Sequence, residues 1–133
     1  MLRRFARMVM MLMPLALAWG GGFFLVVQNK DAGLTVEAQG CQDYSHARIT
    51  GQAEGIVNGK RQSMSLDLTP TGKPGTYTVR KQWPAEGKWV LVFSGTSGER
   101  HTHTLVDLTP DSQWRPRMTM RPVSAEEIEA ALR

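Results

Sequence analysis

The sequence predicts an all-β protein: one antiparallel sandwich of about seven strands, preceded by an N-terminal transmembrane helix and followed by a short C-terminal helix. Three observations carry that prediction. Runs rich in Val, Thr, Tyr and Trp alternate with turn signals about every 8 to 15 residues, the spacing of an antiparallel sandwich or barrel. Asn58-Gly59 lies between two runs whose apolar residues coincide when one is folded back on the other. Helical patterns occur only near the two ends, at Met8–Val27 and Ala125–Leu132.

At the N-terminus, Arg3, Arg4 and Arg7 precede an uncharged run from Met8 to Val27, 20 residues of which 16 are apolar. At a helical rise of about 1.5 Å per residue this run reaches roughly 30 Å, the thickness of a bilayer's hydrocarbon core. The three arginines place the N-terminus in the cytoplasm and the remainder outside. The expected location is therefore the inner membrane, single-pass, with residues 1–28 as anchor and 29–33 as linker. The alternative is a secreted or periplasmic protein cut near Ala18, because Ala16-Leu17-Ala18 fits the small-x-small pattern of a cleavable signal. Cutting there leaves the apolar stretch Trp19–Val27 on a new N-terminus, which favours the uncleaved anchor.

The formal charge of +4 arises mostly at this end, since the rest of the chain holds 13 basic and 12 acidic residues. The calculated pI is therefore no argument for nucleic-acid binding. About 100 exported residues support one small domain. Cys41 is the single cysteine, so no internal disulfide staples it, and its thiol is read as buried and inert.

Residues 34–122 form the expected sandwich domain, opening with a strand near Leu34–Ala38. Asn-Gly suits a two-residue type I′ turn, which needs positive φ at both positions. With Val57 opposite Lys60, the register sets Ala53 against Met64, Gly51 against Leu66 and Ile49 against Leu68. The other face then pairs Glu54 with Ser63, Gln52 with Ser65 and Thr50 with Asp67. A slip of one residue destroys that sorting. Tyr77, Val79 and Trp83 next alternate with polar residues. Pro84-Ala85-Glu86-Gly87 turns the chain, and Trp89–Phe93 returns as a hairpin partner, apolar on both faces as a central strand is. Gly95-Thr96-Ser97-Gly98 makes a second tight connection, and Arg100–Leu108 a further strand. Trp114, Pro116, Met118, Met120 and Pro122 share one parity and Arg115, Arg117, Thr119 and Arg121 the other. The prolines make this an edge strand or strap. Ser124 and Glu127 form a capping box that opens a helix over Ala125–Leu132, within the C-terminal segment 123–133.

The order Gly75-x-Tyr77-x-Val79, then Trp83-Pro84-x-x-Gly87-x-Trp89-x-Leu91, resembles a hairpin of small exported immunoglobulin-like β-sandwiches. It is similar to YtkA-like and FixH-like periplasmic modules and to carboxypeptidase-regulatory-like domains. That resemblance covers roughly residues 45–110 and implies a membrane-tethered accessory or binding module. It also implies an association with copper or cytochrome-oxidase systems, although no full metal motif of such modules is present.

His101-Thr102-His103 is the sharpest local signal. On a strand the two imidazoles share a face, with Cβ atoms roughly 6–7 Å apart, and can hold one Cu or Zn ion. His46, Met118, Met120 and Cys41 are the candidate supplementary ligands. The competing reading places the two histidines on a solvated face, with no cofactor. Methionines 118 and 120 otherwise pack in the core or its rim. Arg115, Arg117 and Arg121 form a row able to meet headgroups or an acidic partner. Exposed tryptophans would suit a glycan. No nucleophile elbow, His-Glu-x-x-His or glycine-rich phosphate loop occurs, so the sequence suggests no enzyme. The expected function is a non-catalytic interaction or structural module of the cell envelope, with a protein partner. The alternatives are copper or zinc binding through His101 and His103, and glycan binding.

Overall fold

A computed structural model describes residues 22–30, 33–108 and 116–133. These residues are mostly β, in two antiparallel sheets with one short C-terminal helix. Strands β1 (Phe23–Lys30), β2 (Gly33–Gly40), β5 (Leu68–Pro70) and β6 (Thr76–Val79) form a four-stranded sheet in the order β1-β2-β6-β5. Strands β3 (Arg48–Val57), β4 (Lys60–Leu66), β7 (Lys88–Ser97), β8 (Arg100–Asp107) and β9 (Arg117–Thr119) form a five-stranded sheet, β4-β3-β7-β8-β9. Side chains of both sheets share one core, centred on Leu25, Val36, Ala53, Leu91, Phe93 and Val106.

The first strand was expected to be membrane helix. Phe23, Leu25 and Val27 alternate with the less buried Phe24 and Val26, and the buried three enter the core. An unbroken apolar run is compatible with either a helix or a two-sided strand, and periodicity alone does not separate them. The expected linker residues fall largely inside the sheet, with Asn29 and Lys30 closing β1 and Gly33 opening β2. Residues 1–21, which hold the rest of the expected membrane segment and the Ala16-Leu17-Ala18 site, lie outside the described residues. Among the described residues no helix is long and apolar enough to cross a membrane.

The β3–β4 hairpin has the register read from the sequence, from Val57 opposite Lys60 to Gly51 opposite Leu66. Asn58 and Gly59 take φ of 52° and 76°, as a type I′ turn requires. The ladder stops there, so Ile49 does not pair with Leu68. At Asp67 the chain leaves one sheet for the other, where Leu68 pairs with Val79. The expected hairpin of residues 75–94 does not form, because β6 already lies between β2 and β5, and β7 between β3 and β8. Neither strand has an edge left for the other, so residues 80–87 carry the chain between sheets. The tight turn expected from Gly95 lies later, at Gly98-Glu99, because β7 runs on to Ser97 opposite Arg100. Among the described residues there are nine strands, where about seven were expected.

Two glycines of β3 make room for aromatic rings of β7. Gly51 sits opposite Phe93 and Gly55 opposite Trp89. A Cβ at Gly51 would lie 2.9 Å from the Phe93 ring, and one at Gly55 would overlap the Trp89 ring. Trp89 is 3% exposed and donates its indole N–H to the Glu86 carbonyl at 2.9 Å.

Helix α1 (Ala125–Leu132) begins with the expected capping box. The Ser124 hydroxyl accepts from the Glu127 N–H at 3.1 Å, and the Glu127 carboxylate accepts from the Ser124 N–H at 3.0 Å. So short a helix needs docking to persist. Ala131 and Leu132, with half-buried Ile128, pack on Val90, Leu105, Ile56 and Val92 on the outer face of the five-stranded sheet. A charged network fastens it. Arg61 bonds Glu129 at 2.7 Å and lies 3.4 Å from the carboxylate of Glu54, which Gln52 and Ser63 also engage at 2.7 and 2.8 Å. Lys88 reaches the Arg133 carbonyl at the far end.

Candidate functional site

Among the described residues the five-stranded sheet is one strand wider than the sheet opposite it, and this mismatch shapes the surface. Strand β1, the edge of the narrow sheet, packs against β8. Strand β9 lies beyond β8, so its inward side has no strand over it among the described residues. Met118 pairs with Thr104, a fully buried core residue, and so lies on the inner side of the sheet. It is nevertheless 61% exposed, and Met120 is 85% exposed. They are the two large apolar side chains left exposed among the described residues. Parity placed them on an apolar face, but the expected packing in a core fails because the core ends at β1.

On the outer side, Arg117 is exposed opposite Leu105. Arg121 is bound to Glu127 of the capping box at 2.8 Å, so the expected arginine row is not an array of free cations. Arg115 and Trp114 lie outside the described residues. Between β9 and the start of α1 runs a groove of about 280 Å³, lined by Leu105, Arg117, Met118, Thr119, Arg121, Val123 and Glu127. This falls just below the usual range of small-molecule sites and admits one side chain of a partner.

His101 and His103 do share the outer face, opposite Thr96 and Ser94 of β7. The His103 Nδ1 lies 2.9 Å from the Ser94 hydroxyl, and the His101 Nδ1 lies 3.4 Å from that of Thr96. Each ring is tethered by one nitrogen, leaving Nε2 for other contacts. Partial burial lowers the pKa of His103, and the neighbouring His101 charge lowers it further. The other proposed ligands are elsewhere. Met118 is on the opposite side of the sheet, and His46 sits in the loop between β2 and β3. Among the described residues no group of three or more His, Cys, Asp or Glu side chains is placed to hold a metal ion. Cys41, expected to be buried, is exposed.

The Ser94–His103 pair has the distance of a nucleophile–base dyad, but on a flat sheet face, and neither residue lines a described cavity. Trp83 and Trp89 border a cleft of about 620 Å³, with Leu34, Val79 and Leu108. Trp83 is half-buried against the core and Trp89 is buried, while Trp19 and Trp114 lie outside the described residues.

The edge strand itself was legible from Pro116 and Pro122. Its overhang was not, because it depends on how many strands the other sheet contains. Comparison with protein-family models, curated proteins and solved structures finds no match for this chain.

Proposed function

We propose that this chain is a non-catalytic interaction module exported to the bacterial cell envelope, with the β9 edge as its contact surface. The exposure of Met118 and Met120 on that overhanging edge carries the reading. Methionine and arginine are enriched where protein partners meet, and the β9 edge carries exposed Met118 and Met120 beside exposed Arg117 on its outer side. The adjoining groove suits a partner's apolar side chain, with Arg117 at its rim to meet a carboxylate. Strand order supports the immunoglobulin-like reading. β1-β2-β6-β5 corresponds to the A-B-E-D sheet of such sandwiches and β4-β3-β7-β8 to C′-C-F-G, with β9 added beyond G. In this reading the added strand is the adaptation to a partner.

The test is affinity purification of the tagged full chain after cross-linking in its host, beside a variant carrying Met118→Asp, Met120→Asp and Arg117→Glu. A specific partner that disappears from the variant, while the variant's melting temperature holds, supports the reading. A partner set indifferent to the three substitutions refutes it.

A second reading, zinc or copper binding by His101 and His103, is favoured by the tethering of both Nδ1 atoms, since a metal-ligating imidazole commonly has its other nitrogen held by a hydrogen bond. Two imidazoles leave such a site open to ligands from elsewhere. Titration of the purified protein with Zn(II), Cu(I) and Cu(II) decides it. Uptake abolished by His101→Ala with His103→Ala supports metal binding; uptake unchanged by the pair rejects it.

A further inference from the structure

We propose that the Ala18–Trp19 peptide bond is a signal-peptidase cleavage site, so that the mature protein begins at Trp19 and leaves the membrane. The proposal rests on the export reading above and deepens it, replacing an uncleaved anchor with a released domain.

The decisive observation is where β1 begins. A membrane helix reaching Val27 would have to take Phe23, Leu25 and Val27, and these belong to the sandwich core. The Phe23 ring stacks on Tyr44 with centroids 4.4 Å apart. The fit against β7 is close, since a Cβ at Gly95 would meet both Phe23 and Leu25 at 3.0 Å. All eight residues from Phe23 to Lys30 pair with β2. Drawing them into a bilayer would strip the narrow sheet of its edge and uncover β2.

What remains of the uncharged run is Met8–Gly22, 15 residues. As a helix these would span about 22 Å, short of the roughly 30 Å hydrocarbon core. The run also ends in three consecutive glycines, each about 1 kcal/mol less favourable than alanine in a helix. The same residues fit an export signal throughout. Arg3, Arg4 and Arg7 form the basic start, Met8–Leu15 an uncharged stretch with seven apolar residues of eight, and Ala16 and Ala18 the small residues at the third and first positions before the cut.

The argument for an anchor was that cleavage would expose Trp19–Val27. The structure removes that objection, because three of those side chains are buried in β1 and two are half-buried. Trp19 to Gly22 leave four residues between the cut and Phe23, the first residue of β1. Hydrolysis adds one water: the bond from the Ala18 carbonyl carbon to the Trp19 nitrogen breaks, Ala18 leaves as a carboxylate and Trp19 becomes an α-amine. The host's signal peptidase supplies the catalytic groups.

The experiment is expression of the full chain, tagged after Arg133, in a bacterium with intact export, followed by fractionation, intact mass and N-terminal sequencing. The expected result is one soluble envelope or secreted species beginning at Trp19, with Ala16→Leu plus Ala18→Leu shifting the product to the full-length, membrane-bound form. A wild-type chain that stays full-length in the membrane, its sandwich open to protease added from outside, overturns cleavage and leaves export standing. A full-length chain in the cytosol overturns both. A new N-terminus within β1 also overturns the assigned site.

Discussion

The two edges of the five-stranded sheet are built in opposite ways. At the β4 edge, Arg61 ties Glu54 of β3 to Glu129 of α1, so the helix, the sheet and the edge strand are held by one network. At the β9 edge, the strand is three residues long, extends past the sheet opposite and leaves two methionines in solvent. Apolar side chains are exposed where no core remains to receive them, and a side chain without a structural task is free to serve a partner. The contrast separates residues that hold the fold from residues available for contact.

The largest effects should come from the core beneath the β4 side. Trp89→Ala is expected to cost about 3–5 kcal/mol, as large-to-small aromatic substitutions in cores do, and Gly55→Val about 1–3 kcal/mol through collision with the same ring. Urea unfolding of the purified protein measures both. If either is neutral, the close seating of Trp89 over β3 is wrong. Arg61→Ala comes next. It leaves the Glu54 carboxylate, whose residue is 8% exposed, without its cation, and should cost about 1–3 kcal/mol. The double variant Arg61→Ala with Glu129→Ala should lose less than the sum of the two singles, since both remove one ion pair. Ser124→Ala removes the helix cap and should cost about 1 kcal/mol, measured by the same unfolding. Met118→Ser and Met120→Ser should each stay within about 0.5 kcal/mol of the parent, because neither residue fills a core.

These differences follow the line between what local sequence encodes and what it does not. The β3–β4 register was readable because one turn and one alternation pattern specify it, and Ser124 with Glu127 specifies the start of α1 just as locally. The passage of residues 80–87 between sheets was not readable. It depends on β2 and β5 having already taken both edges of β6, which no local pattern records. The membrane segment was over-extended for a related reason: Phe23–Val27 is apolar at every position, and only the presence of β2 and β8 makes it a strand. The candidate site was legible in its residue types. The exposure of Met118 and Met120 required counting strands in both sheets.

The smallest effect concerns pH. His103 is half-buried, and burial lowers its pKa below the ordinary 6.5, with the His101 charge adding to the shift. The unfolded chain therefore takes up the proton first as pH falls. The contribution of neutral His103 is fully present above pH 6.5 and is lost as pH drops through the lowered folded value. His103→Gln should flatten the stability profile over that interval. An unchanged slope in denaturant midpoints measured below pH 6.5 would exclude His103 as its source.

The most direct test of the difference between the two edges places a photo-crosslinking residue at Met118 on β9 or at exposed Gln62 on β4, in the full chain expressed in its host. Irradiation should give a discrete adduct with a second protein from position 118, lost on Arg117→Glu, and none from position 62. Equal crosslinking from both positions, or an adduct from position 62 alone, would contradict the assignment of β9 as the contact edge.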